Sequence, residues 1–353
     1  MFGVTGARAG LLRHAQMSAR PAIFGLKGPR LDDNERDFFR DANPWGFILF
    51  ARNVESPKQL ARLCVSLRDV VGREAPVFID QEGGRVQRLR APQWREAPPA
   101  DRFGKLFAID PQAAREAVWV NHRLIAHELR ASGIDADCAP CLDLAIEGAD
   151  AVIGDRAFGA DVEMIAALGQ SAMDGLIAGG VAPVVKHLPG HGRADADSHF
   201  QLPRVSETLD VLRDTDFAPF VALNEAVMGM TAHIVYDALD PELPATMSTA
   251  ALNFVRNDIG FDGLIMTDDL SMRALTGSFE DRTTRSLEAG CDVVLHCNGN
   301  RREMQAVANR LPEIDGKVEA RISRAEAARD RLEAFDAHRG LAKLDALLER
   351  VPE

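Results

Sequence analysis

No stretch of the 353-residue sequence approaches the roughly 18 consecutive apolar residues of a membrane span, so no membrane partner is expected. Positive charge is also in deficit. Lys+Arg number 41 against Asp+Glu 53, and the net charge of -12 leaves no broad cationic surface for nucleic acid. Cysteine is sparse and odd in number: Cys64, Cys138, Cys141, Cys291 and Cys297. Four of these sit in apolar, strand-like surroundings typical of buried thiols, which fits a reducing compartment. Cys138 and Cys141 form a C-x-x-C pair, but no second pair or histidine cluster accompanies it, and no redox or zinc role is read from it. Clusters of Pro, Gly and Ser are too few for a disordered chain, and 46% apolar with 27% charged residues is the balance of a packed globular protein. The N-terminal MFGVTGARAGLLRHAQ lacks the apolar core of a signal peptide, so a cytoplasmic location is expected. Residues 1–16 read as an extension with little structural role, ahead of a single domain over 17–353.

What the sequence does contain is a repeated alternation of short apolar runs with longer segments of helical spacing. The runs are AIFGL (22–26), GFILF (46–50), PVFID (76–80), IDADCAP (134–140), VAPVVKH (181–187), VMGMTAH (227–233), GLIMTD (263–268) and DVVLH (292–296). Their near-continuous apolar character suits parallel strands covered by helices. Asp110-Pro111 supplies a helix start, with Val118, Ile125 and Leu129 on one face and Ser132-Gly133 at the end. Asp161 opens a second helix, whose Ile165, Leu168, Ala172 and Leu176 recur at spacings of three and four before Gly179-Gly180. Eight strand-helix units predict a single (β/α)8 barrel of the TIM type, with some helices irregular or missing. The segment after about residue 315, DGKVEARISRAEAARDRLEAFDAHRG, reads as one charged amphipathic helix on the outside of the barrel, its charges a solvated face.

In such a barrel the active site lies at the C-terminal ends of the strands. There the sequence places Asp80, followed by QEGGRVQRLR; Lys186-His187; His233; and Thr267-Asp268-Asp269. His187 and His191 are four apart, the spacing of a helical metal pair, but Pro189 and Gly190 interrupt any helix and mark a turn into a loop. In that loop Asp197 stands two residues from His199, so that a carboxylate can orient an imidazole which moves a proton. A carboxylate closing an apolar strand is costly unless paired or employed, which singles out Asp268, with Asp269 as its rival on the opposite side of the strand.

The motifs GFILFARN (46–53), IDQEGGRVQRLR (79–90), VIGDRAFG (152–159), KHLPGHG (186–192) followed by DSH (197–199), and MTDDLSM (266–272) resemble those of glycoside hydrolase family 3. Within that family the resemblance is to the bacterial cytoplasmic β-N-acetylglucosaminidases. It implies Asp268 as nucleophile in preference to Asp269, His199 as acid/base with Asp197 as its partner, and Asp80, Arg88, Arg156, Lys186 and His187 as sugar-binding residues. Gly83 and Gly84 either let backbone approach the sugar or serve a plain turn. Asp155 stands where the motif often has glutamate, a tolerated exchange. The implied reaction is retaining hydrolysis of a terminal β-linked N-acetylglucosamine from 1,6-anhydro-muropeptides in peptidoglycan recycling, by a monomer that needs no metal or organic cofactor. Two other readings stay open: a glycoside phosphorylase on the same scaffold, and a metal-dependent barrel hydrolase using His187, His191 and His233.

Overall fold

The computed structural model describes residues 19–148, 152–194, 198 and 201–352. The expected extension 1–16, and Asp197 and His199, lie outside the described residues. Each of the eight apolar runs overlaps a strand: β1 Arg20–Gly25, β2 Pro44–Leu49, β3 Val77–Ile79, β4 Ala136–Asp137, β5 in two pieces (Ala182–Pro183 and Val185–Leu188), β6 Met228–Thr231, β7 Leu264–Asp269 and β8 Val293–His296. Every neighbouring pair is parallel, and the ladder closes through β8 against β1. The first piece of β5 pairs with β4 and the second with β6, so the break at Val184 hands the barrel from one neighbour to the next.

Helices follow each strand: α1 Asp33–Ala42, α2 Pro57–Val71, α3 Ala100–Ile109 and α4 Pro111–Ala131, α5 Val162–Ala178, α6 Leu209–Asp214 and α7 Ala218–Ala222, α8 Thr249–Asn257, α9 Phe279–Ala289, and α10 Arg301–Ala308. The two predicted helix starts are the observed ones. Asp110 accepts from the N–H groups of Gln112 and Ala113 at the head of α4, and Asp161 accepts from Met164 N–H at the head of α5. These bonds satisfy donors that a helix N-terminus otherwise leaves unpaired.

Strand alternation sorts the core into two layers. Ile23, Ile48, Phe78, Cys138, Val184, Met228, Met230, Leu264, Met266, Val293 and Leu295 fill the barrel interior, whereas Val77, Ile79, Val185 and Ile265 pack outward under the helices. Continuing the inward phase by two residues reaches Phe50, Asp80, Lys186, Asp268 and Cys297, all of which border one cavity at the top of the barrel.

The tail differs from expectation. It forms two helices, α11 Gly316–Ala327 and α12 Ala337–Leu348, rather than one. Ile322 and Ala325 of α11, with Ala328 just beyond it, join the interior cluster with Trp45 and Phe78 and close the bottom of the barrel. The charges are not simply solvated: Arg321 pairs with Asp292 at 2.7 Å, Arg329 with Asp135 at 2.7 Å, and Trp45 Nε1–H donates to Glu326 at 3.0 Å. Apolar positions alone could not show that arginines of this segment meet carboxylates from the strand starts.

Candidate active site

The cavity at the top of the barrel has a volume of about 280 Å³. Its charged wall is a chain of alternating sign. Arg88 Nη2 donates to Asp80 Oδ2 at 2.8 Å, and Lys186 Nζ donates to Asp80 Oδ1 at 3.0 Å. Lys186 also meets Glu82 Oε1 at 2.6 Å, and Arg156 grips both Glu82 oxygens at 2.8 Å through Nε and Nη2. Burial opposes the charge on Lys186, but Asp80 and Glu82 outweigh it and raise the ammonium above its usual value. Burial likewise opposes the Glu82 anion, and Arg156 and Lys186 bring its carboxyl down to about 2. Below this chain Asp137 is wholly buried; loss of hydration pushes its carboxyl up to about 8, and its Oδ1 accepts the Gln81 N–H at 2.9 Å.

Local sequence explains how the wall is positioned. Gln81–Gly83 and Val86–Gln87 form a hairpin after β3. Gln81 Oε1 accepts the N–H groups of Arg88 at 2.9 Å and Leu89 at 3.0 Å, which fixes where Arg88 leaves the hairpin. Gly83 and Gly84 have φ of 100° and 54°, and a Cβ on Gly83 would meet the Pro98 oxygen at 2.4 Å. Their role is therefore the turn. Arg156 lies on a short 3-10 turn, Gly154–Arg156, and Asp155 beside it pairs with Arg85 at 2.7 Å. Arg52 and Arg88 lie over the Phe50 ring, at 4.8 and 5.4 Å from its centroid.

Of the residues predicted from sequence, Asp80, Arg88, Arg156, Lys186, His187 and Asp268 all border this cavity. Asp268 and Asp269 both reach it, but their carboxylates differ. Asp269 accepts from Ser271 N–H at 2.9 Å, Cys297 N–H at 3.0 Å and Ser271 Oγ at 2.6 Å, and so binds together the loops after β7 and β8. Asp268 accepts the Asp269 N–H at 2.7 Å and shares the inward phase of Leu264 and Met266. Asp197 and His199 are not among the described residues; Ser198 between them is buried, and its carbonyl accepts the Ala274 N–H at 3.3 Å, from the loop that follows β7.

The histidines do not converge as a metal hydrolase using His187, His191 and His233 would require. His233 Nδ1 contacts Thr246 Oγ1 at 2.7 Å, and its Nε2 donates to the Asp269 carbonyl at 3.1 Å. Among the described residues, the group with metal-ligating atoms close together is Cys141, Asp143 and His187, all buried and within 4.8 Å of one another. Asp143 already receives hydrogen bonds from both of the other two, at 3.2 and 2.6 Å. All five cysteines are buried and unpaired, where the sequence suggests burial for four, and burial pushes the Cys64 thiol up to about 12. Sequence reasoning missed Glu82, Asp137 and Asp143. Glu82 stood inside a quoted motif, and Asp143 in CAPCLDLA carries the same signal as Asp268, a carboxylate in an apolar run.

The mouth of the closed parallel barrel is lined by carboxylates, an ammonium and guanidinium groups, which together can accept hydrogen bonds from, and donate them to, a polyhydroxylated ligand. Residues 13–329 match the family model described as the glycosyl hydrolase family 3 N terminal domain. The chain is 39% identical over 287 residues to a beta-hexosaminidase of Thiobacillus denitrificans, covering 80% of this chain and 79% of that one. It is 41% identical over 290 residues to a beta-hexosaminidase of Thioalkalivibrio sulfidiphilus, covering 80% and 82%. The crystal structure of NagZ from Neisseria gonorrhoeae in complex with N-trifluoroacetyl-D-glucosamine is similar at a TM-score of 0.84, with 32% identity over 94% of this chain and 99% of that one. The chain belongs to glycosyl hydrolase family 3. It is a glycoside hydrolase on a TIM-type barrel, similar to the bacterial beta-hexosaminidases.

Proposed function

We propose that this protein is a retaining β-N-acetylhexosaminidase that removes terminal β-linked N-acetylglucosamine from 1,6-anhydro-muropeptides in peptidoglycan recycling, acting as a cytoplasmic monomer. The observation that carries this reading is the inward-facing Asp268 at the top of β7, opposite the charged chain from Arg88 to Arg156, in a family 3 barrel. A relative of this fold holds an N-acylated glucosamine. Among the described residues no helix is long and apolar enough to cross a membrane.

In the first step His199, oriented by Asp197, gives its proton to the glycosidic oxygen while the Asp268 carboxylate attacks the anomeric carbon and the bond to the leaving group breaks. In the second, water attacks the glycosyl-Asp268 ester and its proton returns to His199. An imidazolium that becomes a neutral imidazole as it gives up its proton avoids a second carboxylate beside Asp268. Asp80 accepts hydrogen bonds from sugar hydroxyls, and Arg88, Arg156, Lys186 and His187 complete the grip on hydroxyls and acetamido carbonyl. Pairing within the charged chain keeps Asp80, Lys186 and Arg156 ionised before the sugar arrives, so their charges are already aimed.

The test is product analysis on an aryl β-N-acetylglucosaminide in phosphate buffer, with and without a strong chelator. The reading expects free N-acetylglucosamine, released first as the β-anomer, with or without chelator. N-acetylglucosamine 1-phosphate would make the protein a phosphorylase, an α-anomer would make it inverting, and loss of activity on chelation would restore the metal-dependent alternative.

A further inference from the structure

Asp143 lies beyond the end of β4, its side chain wholly buried, and no step above uses it. Its two oxygens receive four hydrogen bonds. Oδ1 accepts the main-chain N–H of His191 at 2.6 Å and of His187 at 3.2 Å; Oδ2 accepts from His187 Nδ1 at 2.6 Å and Cys141 Sγ at 3.2 Å. Four donors converge on the one carboxyl group, two of them main-chain N–H groups that can only donate, which is the setting of an ionised acceptor. An ionised carboxylate can only accept. The proton between Asp143 and His187 must therefore sit on Nδ1, and Nε2 is the ring nitrogen left for the cavity that His187 borders.

We propose that Asp143 is a positioning residue for substrate binding: it holds His187 as the Nδ1–H tautomer, so that Nε2 presents a hydrogen-bond acceptor to a sugar hydroxyl. The same carboxylate ties that imidazole to the backbone where the chain leaves β5. Tyr236 secures the neighbouring residue by donating to the Gly190 carbonyl, and a Cβ on Gly192 would meet the Leu144 oxygen at 2.5 Å. One buried group thus sets ring orientation, tautomer and the exit of the loop together, as second partners of functional histidines do elsewhere. The inference rests on reading His187 as a sugar contact.

Asp143→Asn separates this role from a merely structural one. The asparagine carbonyl still accepts the two main-chain N–H groups, but its amide turns a donor toward His187 Nδ1 and inverts the tautomer. The measurement is long-range proton–nitrogen correlation on the full-length protein labelled with 15N-histidine, with His187 assigned through His187→Gln. Wild type is expected to show a protonated Nδ1 and a bare Nε2, and D143N the reverse. The KM for an aryl N-acetylglucosaminide should rise about tenfold or more while kcat changes less, the pattern of a lost binding contact. A wild-type His187 protonated on Nε2 overturns the proposal even if D143N does not fold. So does a folded D143N whose kinetic constants stay within about twofold of wild type. If the wild-type protein releases no sugar from N-acetylhexosaminides, the functional reading fails instead, while the nitrogen pattern still decides whether Asp143 sets the tautomer.

Discussion

Lys186 holds its charge where an isolated ammonium would lose it. At 2% exposure it survives as a cation because Asp80 and Glu82 flank it, and they survive as anions because Arg88 and Arg156 close the chain at its ends. Removing one partner of such a buried set leaves an uncompensated charge, which is why the set behaves as a unit. His122 shows the opposite outcome. It is buried in α4 with Nδ1 2.9 Å from the Val118 carbonyl, and burial brings its imidazole down to about 4. His191 is brought down to about 4 in the same way. A folded value below the unfolded one means that the unfolded chain takes up the proton first, so stability is fully present above about pH 6.5 and declines as pH falls toward 4. Each imidazole should cost about 1.5 kcal/mol between pH 6.5 and 5. Urea unfolding at the two pH values checks this: His122→Gln, which keeps a donor for Val118, should flatten the decline by about one proton, and an unchanged slope would show that His122 is not buried neutral.

At the level of elements, the period of two along the strands decided what the sequence could reveal. Asp80, Lys186 and Asp268 were legible because each continues an inward apolar phase by one more step, and a charge there has no packing purpose. Glu82 and Asp143 were harder to see because each follows a strand end, in a hairpin and an irregular segment, where no period predicts which way a side chain points. The tail was misread for a related reason. Helical spacing marked its apolar face, but not that the face of α11 meets the open bottom of the barrel, nor that its arginines pair with Asp292 and Asp135. Ile322→Ala should therefore destabilise the fold by about 2 kcal/mol, read from the urea midpoint, while KM stays unchanged. A variant of wild-type stability would show that α11 is an appendage, and an altered KM would show that the two ends of the barrel are coupled.

Across the whole molecule, stability and chemistry occupy opposite ends. The bottom is sealed by α11 against Trp45 and Phe78, the middle is apolar, and the top layer is the charged cavity. That division let eight apolar runs reveal the barrel, since their continuity follows from being covered on both faces. Function depended on the few residues left over at the top, and among these the central claim concerns Asp268. Its most direct test is covalent trapping with a fluorinated N-acetylglucosamine donor that forms the glycosyl-enzyme but hydrolyses slowly, followed by digestion and peptide mass mapping. The account predicts one added sugar on the peptide containing Asp268, absent in Asp268→Asn. Label on Asp269 or any other residue, or no label on a protein that turns the substrate over, would contradict it.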